Sequence, residues 1–345
     1  MASDSEIIDR RRNEPWWQRT LRETAVHDFA VFAFLASLNF AVLCTPSSAE
    51  RTFCLMRTGG LLLAFVVSIV LVRGRLIKLP WIAALVYRLG IYGVVQLSYF
   101  PLRHVLPLVN TTTLDHQLYE FDLALFHYEP AMAWDRFVTP ATTEWFSFFY
   151  FGYFLLMAVH ILPLVFFGRK KQIVGEFTFG ILVMFSIGHT LYMVVPGYGP
   201  YRAMADAFQH PFPHGTYYDL VIETVREGGA MMDIFPSLHT GAPTVLALFS
   251  YRNRDKLPYR YTWPLVAFCT VNIIIATMFL RWHYMIDVIA GFTIAVSTVF
   301  ASRPITRWEI ARRKREGLGE LWPEYSSPPM TGSGSKDLAN GAAVA

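Results

Sequence analysis

Two histidine-bearing stretches stand out in the second half of the chain, Phe235-Pro236-Ser237-Leu238-His239-Thr240-Gly241 and Arg281-Trp282-His283-Tyr284-Met285-Ile286-Asp287. In the second, His283 and Asp287 are four residues apart at the expected head of a helix, hence on one face. The carboxylate can accept from imidazole Nδ1 and leave Nε2 as a free nucleophile or base. His239 can act as the opposing acid. Proline suits the first turn of a helix, so a helix opening at Pro236 to Ser237 would aim open backbone N–H groups at an anion. Arg202, in the glycine- and proline-rich run Pro196 to Ala203, together with Arg281 and Arg226, adds the forked donors that fit phosphate oxygens. These types describe a metal-free, cofactor-free phosphoryl-transfer site: His239, His283 and Asp287 catalytic; Arg202, Ser237 and Arg281 holding phosphate.

The elements that must position them are membrane helices. Of the 345 residues, 54% are apolar and only 16% charged, with 28 Phe, 17 Tyr and 9 Trp, which excludes disordered and disulfide-scaffold classes. Cys44, Cys54 and Cys269 lack metal spacing and read as packing residues. The net charge of +4 is too small and scattered for a nucleic-acid binder. Eight apolar runs qualify as spans, at about 28 to 45, 58 to 72, 80 to 100, 145 to 167, 174 to 195, 236 to 250, 262 to 280 and 283 to 302, the second and sixth being short.

Charge bookkeeping supports the count. Arg10 to Arg12, then Arg73, Arg75 and Lys78, then Arg169 to Lys171, then Arg252, Arg254, Lys256 and Arg260, then Arg312 to Arg315 occupy every alternate connection. The positive-inside rule therefore puts both termini in the cytoplasm, and the connections near 46 to 57, 101 to 141, 196 to 235 and 281 to 283 outside. His239 and His283 are separated by 44 residues, two helices and a basic turn, so the chain returns to the level it left. Arg202 reaches His239 through a loop with no span. Three separate regions thus meet on the outer side.

The expected organisation is an all-α polytopic bundle at 27–302, after a cytoplasmic segment 1–26 and before a tail 303–345, basic and then disordered from Ser326 onward. The first run reads as a retained signal anchor, and no internal repeat is visible. His104, His160, His189, His210 and His214 read as hydrogen-bonded structural residues, and Arg88 as snorkelling to the cytoplasmic surface. The outer connection 101 to 141 carries Asp115, Glu120, Asp122, Glu129 and Asp135 among aromatics. It reads as an amphipathic interfacial stretch anchored by Trp134, with carboxylates suited to the hydroxyls of a polyol headgroup. Asn110-Thr111-Thr112 is an outward-facing glycosylation sequon.

The paired motifs Phe235 to Gly241 and His283 to Asp287 resemble the second and third signatures of the type 2 phosphatidic acid phosphatase superfamily, in particular its inositolphosphotransferase branch, which includes the inositol phosphorylceramide synthases. The resemblance covers roughly residues 80 to 300 and implies a six-helix phosphatase-type core. It implies that His283 forms a phosphohistidine, that Asp287 orients it, and that His239 protonates the leaving group and then deprotonates the acceptor. Arg202 resembles the arginine of the first signature. Ala203 stands where the phosphatase pattern has proline, and Ala276 and Thr277 where it has Ser-Arg; both departures lean from simple phosphatases toward the lipid phosphotransferases. The expectation is an extracytoplasmic or lumenal enzyme whose partners are a phospholipid donor and a lipid hydroxyl or water, with no nucleic acid and no obligate protein partner. A lipid phosphate phosphatase using water is the alternative, and a non-catalytic transporter or scaffold is the rival from another class.

Overall fold

The computed structural model describes residues 14–168 and 171–325. Arg10 to Arg12, Arg169, Lys170 and the segment beyond Tyr325, on which part of the charge and tail reasoning rests, lie outside the described residues.

A backbone in hydrocarbon must satisfy its own N–H and C=O groups, and each apolar run accordingly folds as a helix. In order these are α1 (Trp16–Glu23), α2 (Val26–Leu43), α3 (Ala49–Arg73), α4 (Pro80–Leu97), α5 (Tyr99–Val109), α6 (Asp115–Phe126), α7 (Pro130–Trp134), α8 (Pro140–Phe167), α9 (Lys171–Val194), α10 (Pro200–Ala203), α11 (Thr216–Gly228), α12 (Leu238–Arg252), α13 (Tyr259–Phe279) and α14 (Met285–Arg315). Among the described residues there is no strand, only an isolated bridge between Gly197 and Asp233. Seven of the helices, α2, α3, α4, α8, α9, α13 and α14, are long and apolar enough to cross a membrane.

Three boundaries differ from expectation for physical reasons. Glu50, Arg51 and Arg57 make the second run read as short, yet α3 has 25 residues: Glu50 and Arg51 fall in its first turn, and Arg57 is carried within the apolar stretch. The expected sixth span is α12, whose 15 residues reach about 22 Å, less than the roughly 30 Å of a bilayer core. The last helix does not end near 302. α14 runs unbroken to Arg315, beyond its apolar part, so the expected start of a tail at 303 falls inside a helix.

One large core holds the bundle together. It joins α2, α3, α4, α5, α8, α9, α12, α13 and α14 through residues such as Leu35, Phe65, Tyr87, Phe177, Met184, Leu246, Ile273 and Val299. Outward faces are apolar as well: Leu63, Leu155, Leu265 and Phe300 are each at least 64% exposed, the pattern of surfaces that face lipid rather than water. α9 is the central helix. It packs against α14, α2 and α12 and is itself mostly buried.

The end of the bundle that carries the basic connections is closed by the segment after α14. Trp322 is buried and stacks on His27 at 5.5 Å, while Arg73 donates to the carbonyls of Glu320 and Leu321 and pairs with Asp28 at 2.9 Å. Arg88 does not snorkel. Its guanidinium is buried and donates to the carbonyls of Val165, Ala84 and Pro323, with the Tyr325 ring 4.5 Å away. A cavity of about 590 Å³ lies here between Arg88, Phe167, Lys171, Trp322 and Tyr325, at the opposite end of α8 and α9 from the paired histidines.

Candidate active site

Ser237 caps α12, its Oγ accepting from the Thr240 N–H at 3.2 Å. The helix therefore opens at Leu238, and Pro236 precedes the cap instead of occupying the first turn. The N–H groups of Thr240 and Gly241 turn back to Ser237, whereas those of Leu238 and His239 have no acceptor within the helix. The Ser237 N–H donates to the Asp287 carbonyl at 2.9 Å, which ties the first histidine motif to the second by backbone alone. This contact demands Gly291: a Cβ there would stand 2.3 Å from the Ser237 carbonyl oxygen.

His239 projects from the first turn of α12 against α8. Its ring lies 4.3 Å from Tyr150, nearly parallel at 11°, and 4.3 Å from Tyr153, and its Nε2 has no hydrogen-bond partner among the described residues. His283 lies in the turn between α13 and α14, buried and within electrostatic range of His239. That turn is built by the Thr277 carbonyl, which accepts from the N–H groups of both Trp282 and His283, and by Arg281 in the left-handed region at φ 67°. The conformation costs a non-glycine residue about 1–2 kcal/mol. Arg281 is held there by its side chain, which donates to Asp135 at 2.7 Å and to the His210 carbonyl at 2.6 Å between the rings of Phe208 and Phe212.

The expected pairing across one helical turn is present. His283 Nδ1 lies 3.4 Å from Asp287 Oδ2, a close contact without hydrogen-bond geometry, because Oδ2 accepts from the Tyr284 N–H at 2.9 Å. Burial lowers the His283 imidazole to about 4, an effect that the nearby Asp233 carboxylate opposes. Neutral imidazole is therefore its resting form at ordinary pH.

Of the expected phosphate-holding residues, only Ser237 adjoins both histidine motifs. Arg202, on the short helix α10, is exposed, with its guanidinium 3.9 Å over the Tyr198 ring. The loop that carries it docks on the His283 turn. The Tyr201 N–H donates to the Arg281 carbonyl at 2.6 Å, and the Tyr201 ring lies 4.6 Å from that of Trp282, tilted by 31°. Gly199, at φ 80°, is required for this approach, since a Cβ would meet the Trp282 carbonyl oxygen at 2.3 Å. Arg281 is engaged by Asp135, and Arg226 is exposed and paired with Glu223 and Glu227 on α11.

Several residues that matter for this geometry were read otherwise from sequence or not singled out. Asp115 accepts from the N–H groups of Tyr198 and Gly199 and from the Tyr284 hydroxyl. Asp122 accepts from the N–H groups of Met285 at 2.6 Å and Ile286 at 2.9 Å, so it caps the helix that begins just after His283. These carboxylates brace backbone; the structure does not leave them open for a polyol. Burial, partly offset by the Ala131 N–H and reinforced by Asp122, pushes Glu129 up to about 8, so Glu129 holds a proton against Asp122. Asp233 accepts from the Tyr99 hydroxyl at 2.7 Å and lies within electrostatic range of His283; burial raises it above the ordinary carboxylate range. Its place six residues before His239 was the available signal.

Asn110 of the sequon donates its side-chain amide to the Met193 carbonyl. His189 is buried beside Ser98, and His210 and His214 pair with Asp135 and Asp219, which suits structural roles. Among the described residues no group of three or more His, Cys, Asp or Glu side chains is arranged to hold a metal ion.

No curated protein and no solved structure matches the chain. Residues 116–301, just over half of it, match the family model described as the PAP2 superfamily.

Proposed function

Since the chain belongs to the PAP2 superfamily and is thus of a phosphoryl-transfer type, we propose that it is a lipid phosphotransferase that moves a phospho-headgroup between lipids through a phosphohistidine on His283. The observation that carries this reading is the joining of the two motifs: His283 beside Asp287 at 3.4 Å, His239 within range, and the Ser237 N–H bonded to the Asp287 carbonyl.

In the first displacement His283 Nε2 attacks phosphorus, the bond from phosphorus to the leaving alkoxide breaks, and His239 gives that oxygen its proton. In the second, His239 takes the proton of an acceptor hydroxyl as its oxygen attacks phosphorus, and the phosphorus–nitrogen bond breaks to restore His283. Asp287 steadies Nδ1 as positive charge grows on the ring. A 3.4 Å contact in the free enzyme that shortens in the transition state is the usual behaviour of such a pair. The Leu238 and His239 N–H groups at the head of α12, Ser237 and Arg202 hold the phosphate oxygens. Arg281, spent on Asp135, serves by fixing the His283 turn.

We assign α12 as an eighth, short crossing, with both termini in the cytoplasm and the site on the extracytoplasmic or lumenal face. The alternation of basic connections supports this. The lean toward transfer over hydrolysis rests on Ala276 and Thr277, which supply no arginine to the clamp, and on the inositolphosphotransferase-like motifs. Purified protein given a headgroup-labelled phospholipid, with and without ceramide or diacylglycerol, tests it. Label should pass to the added lipid; free phosphate or phospho-headgroup with no labelled lipid product would make the enzyme a phosphatase.

A further inference from the structure

Beside the two histidines lies a cluster of tyrosines that the phosphoryl-transfer steps do not use. Tyr150 and Tyr153 come from α8, Tyr192 from α9 and Tyr99 from α5, and they gather around Asp233. The Tyr192 hydroxyl is within electrostatic range of Tyr99, Tyr150, Tyr153 and Asp233, and Tyr150 is within range of Asp233. The rings of Tyr150 and Tyr153 lie against His239, and Asp233 faces His283. The group therefore adjoins both histidines.

Their polar ends are unusual for a core. Tyr99 is spent on Asp233 and the Ala230 N–H, whereas among the described residues the hydroxyls of Tyr150, Tyr153 and Tyr192 form no hydrogen bond and are not among the fully enclosed unpartnered atoms, so each keeps some accessible surface. A hydroxyl on a largely buried residue is normally partnered, by protein, water or a bound molecule. These three side chains are only 7%, 7% and 2% exposed. Each hydroxyl can both donate and accept, and Asp233 adds acceptor capacity, while the cluster contains no lysine or arginine. Such a set is ill suited to an anion and well suited to an uncharged group bearing several hydroxyls.

We propose that Tyr150, Tyr153, Tyr192 and Asp233 form a subsite for a polyhydroxylated group, brought either by the donor's headgroup or by the acceptor. This rests on the phosphotransferase reading above and adds to it the residues that choose the substrate. The shared chemistry is hydrogen bonding to vicinal hydroxyls, so Tyr→Phe, which keeps the ring and deletes the hydroxyl, is the discriminating change.

The test is a comparison of kcat/KM ratios for the wild type, Tyr192→Phe and Tyr150→Phe in detergent micelles. On the donor side phosphatidylglycerol is compared with phosphatidic acid; on the acceptor side, glycerol with 1-propanol. Each Tyr→Phe change should lower the preference for the polyhydroxylated member about 3- to 10-fold, the scale of one hydrogen bond to a substrate. A fall in the donor ratio assigns the subsite to the headgroup, and a fall in the acceptor ratio assigns it to the incoming alcohol. Asp233→Asn, which keeps shape and one acceptor oxygen, supplies a second variant should a tyrosine change impair folding. Turnover with both ratios unchanged in all variants would overturn the subsite alone; a wild-type protein that turns over none of the donors would overturn the phosphotransferase reading itself.

Discussion

His283→Ala removes the nitrogen that bonds to phosphorus in the proposed reaction, and turnover should fall about 10⁴-fold or more. Asp287→Asn preserves shape but removes one carboxyl oxygen as acceptor beside Nδ1, and should cost about 10²- to 10³-fold in kcat with a smaller effect on KM. Steady-state kinetics on purified variants checks both. The acid side of the pH profile has a defined sign: His283, lowered to about 4, is a neutral nucleophile above that value, so single-turnover phosphorylation should stay fast on acidification and fall as pH drops through about 4. A fall already centred near the ordinary histidine value, about 6.5, would show that burial does not control this group. His239, His283 and Asp287 were legible in the sequence because ionisable types stand out in apolar runs and their spacing fixes a shared face. Asp233 was not, because its partner Tyr99 lies 134 residues away and only the fold brings the two together.

α6 acts through its carboxylates rather than through an apolar face. Asp122 satisfies two N–H groups at the head of α14, and Asp115 fixes the loop that carries Arg202. Asp122→Ala should therefore destabilise the protein by about 1–2 kcal/mol, the range of a lost helix cap, and lower kcat through a displaced His283, with Asp122→Asn recovering part of both. Glu129 gives this brace a pH dependence. Folded Glu129 keeps its proton up to about 8, whereas an unfolded glutamate releases it near about 4.3, so the folded state binds the extra proton in between. Its stabilising contribution is full below the unfolded value and is lost as pH rises through about 8. Thermal unfolding in detergent should show a midpoint that drops between about pH 4 and about pH 8, and a flatter profile in Glu129→Gln. The sequence marked these carboxylates as unusual but could not assign them. A carboxylate that caps a helix more than 160 residues away leaves no local pattern.

At the scale of the whole molecule, apolar outward faces place the bundle in a membrane, and the alternating basic connections are the ground for the proposed orientation. The long helices could be read from hydropathy; the closure of one end by Trp322 could not, since that segment is short and polar around its single tryptophan. Trp322→Ala should lower stability by about 3–5 kcal/mol, the cost of emptying a buried tryptophan site, measurable as a lower unfolding midpoint. Orientation is tested in sealed vesicles. An impermeant thiol reagent should label Asp206→Cys from the site's side and Asp255→Cys, in the basic turn after α12, only after permeabilisation; the opposite result would invert the topology. All of this serves one proposed arrangement, His283 as nucleophile and His239 as its acid partner, held together at one end of a membrane helix bundle. Its most direct measurement is to quench phosphate-labelled phospholipid with purified protein under alkaline conditions and map the label by peptide. The account predicts acid-labile phosphate on His283 that disappears in His283→Ala. Absence of any trapped label, together with turnover unaffected by His239→Ala and His283→Ala, would contradict it and leave these histidines as structural parts of a passive lipid-binding protein.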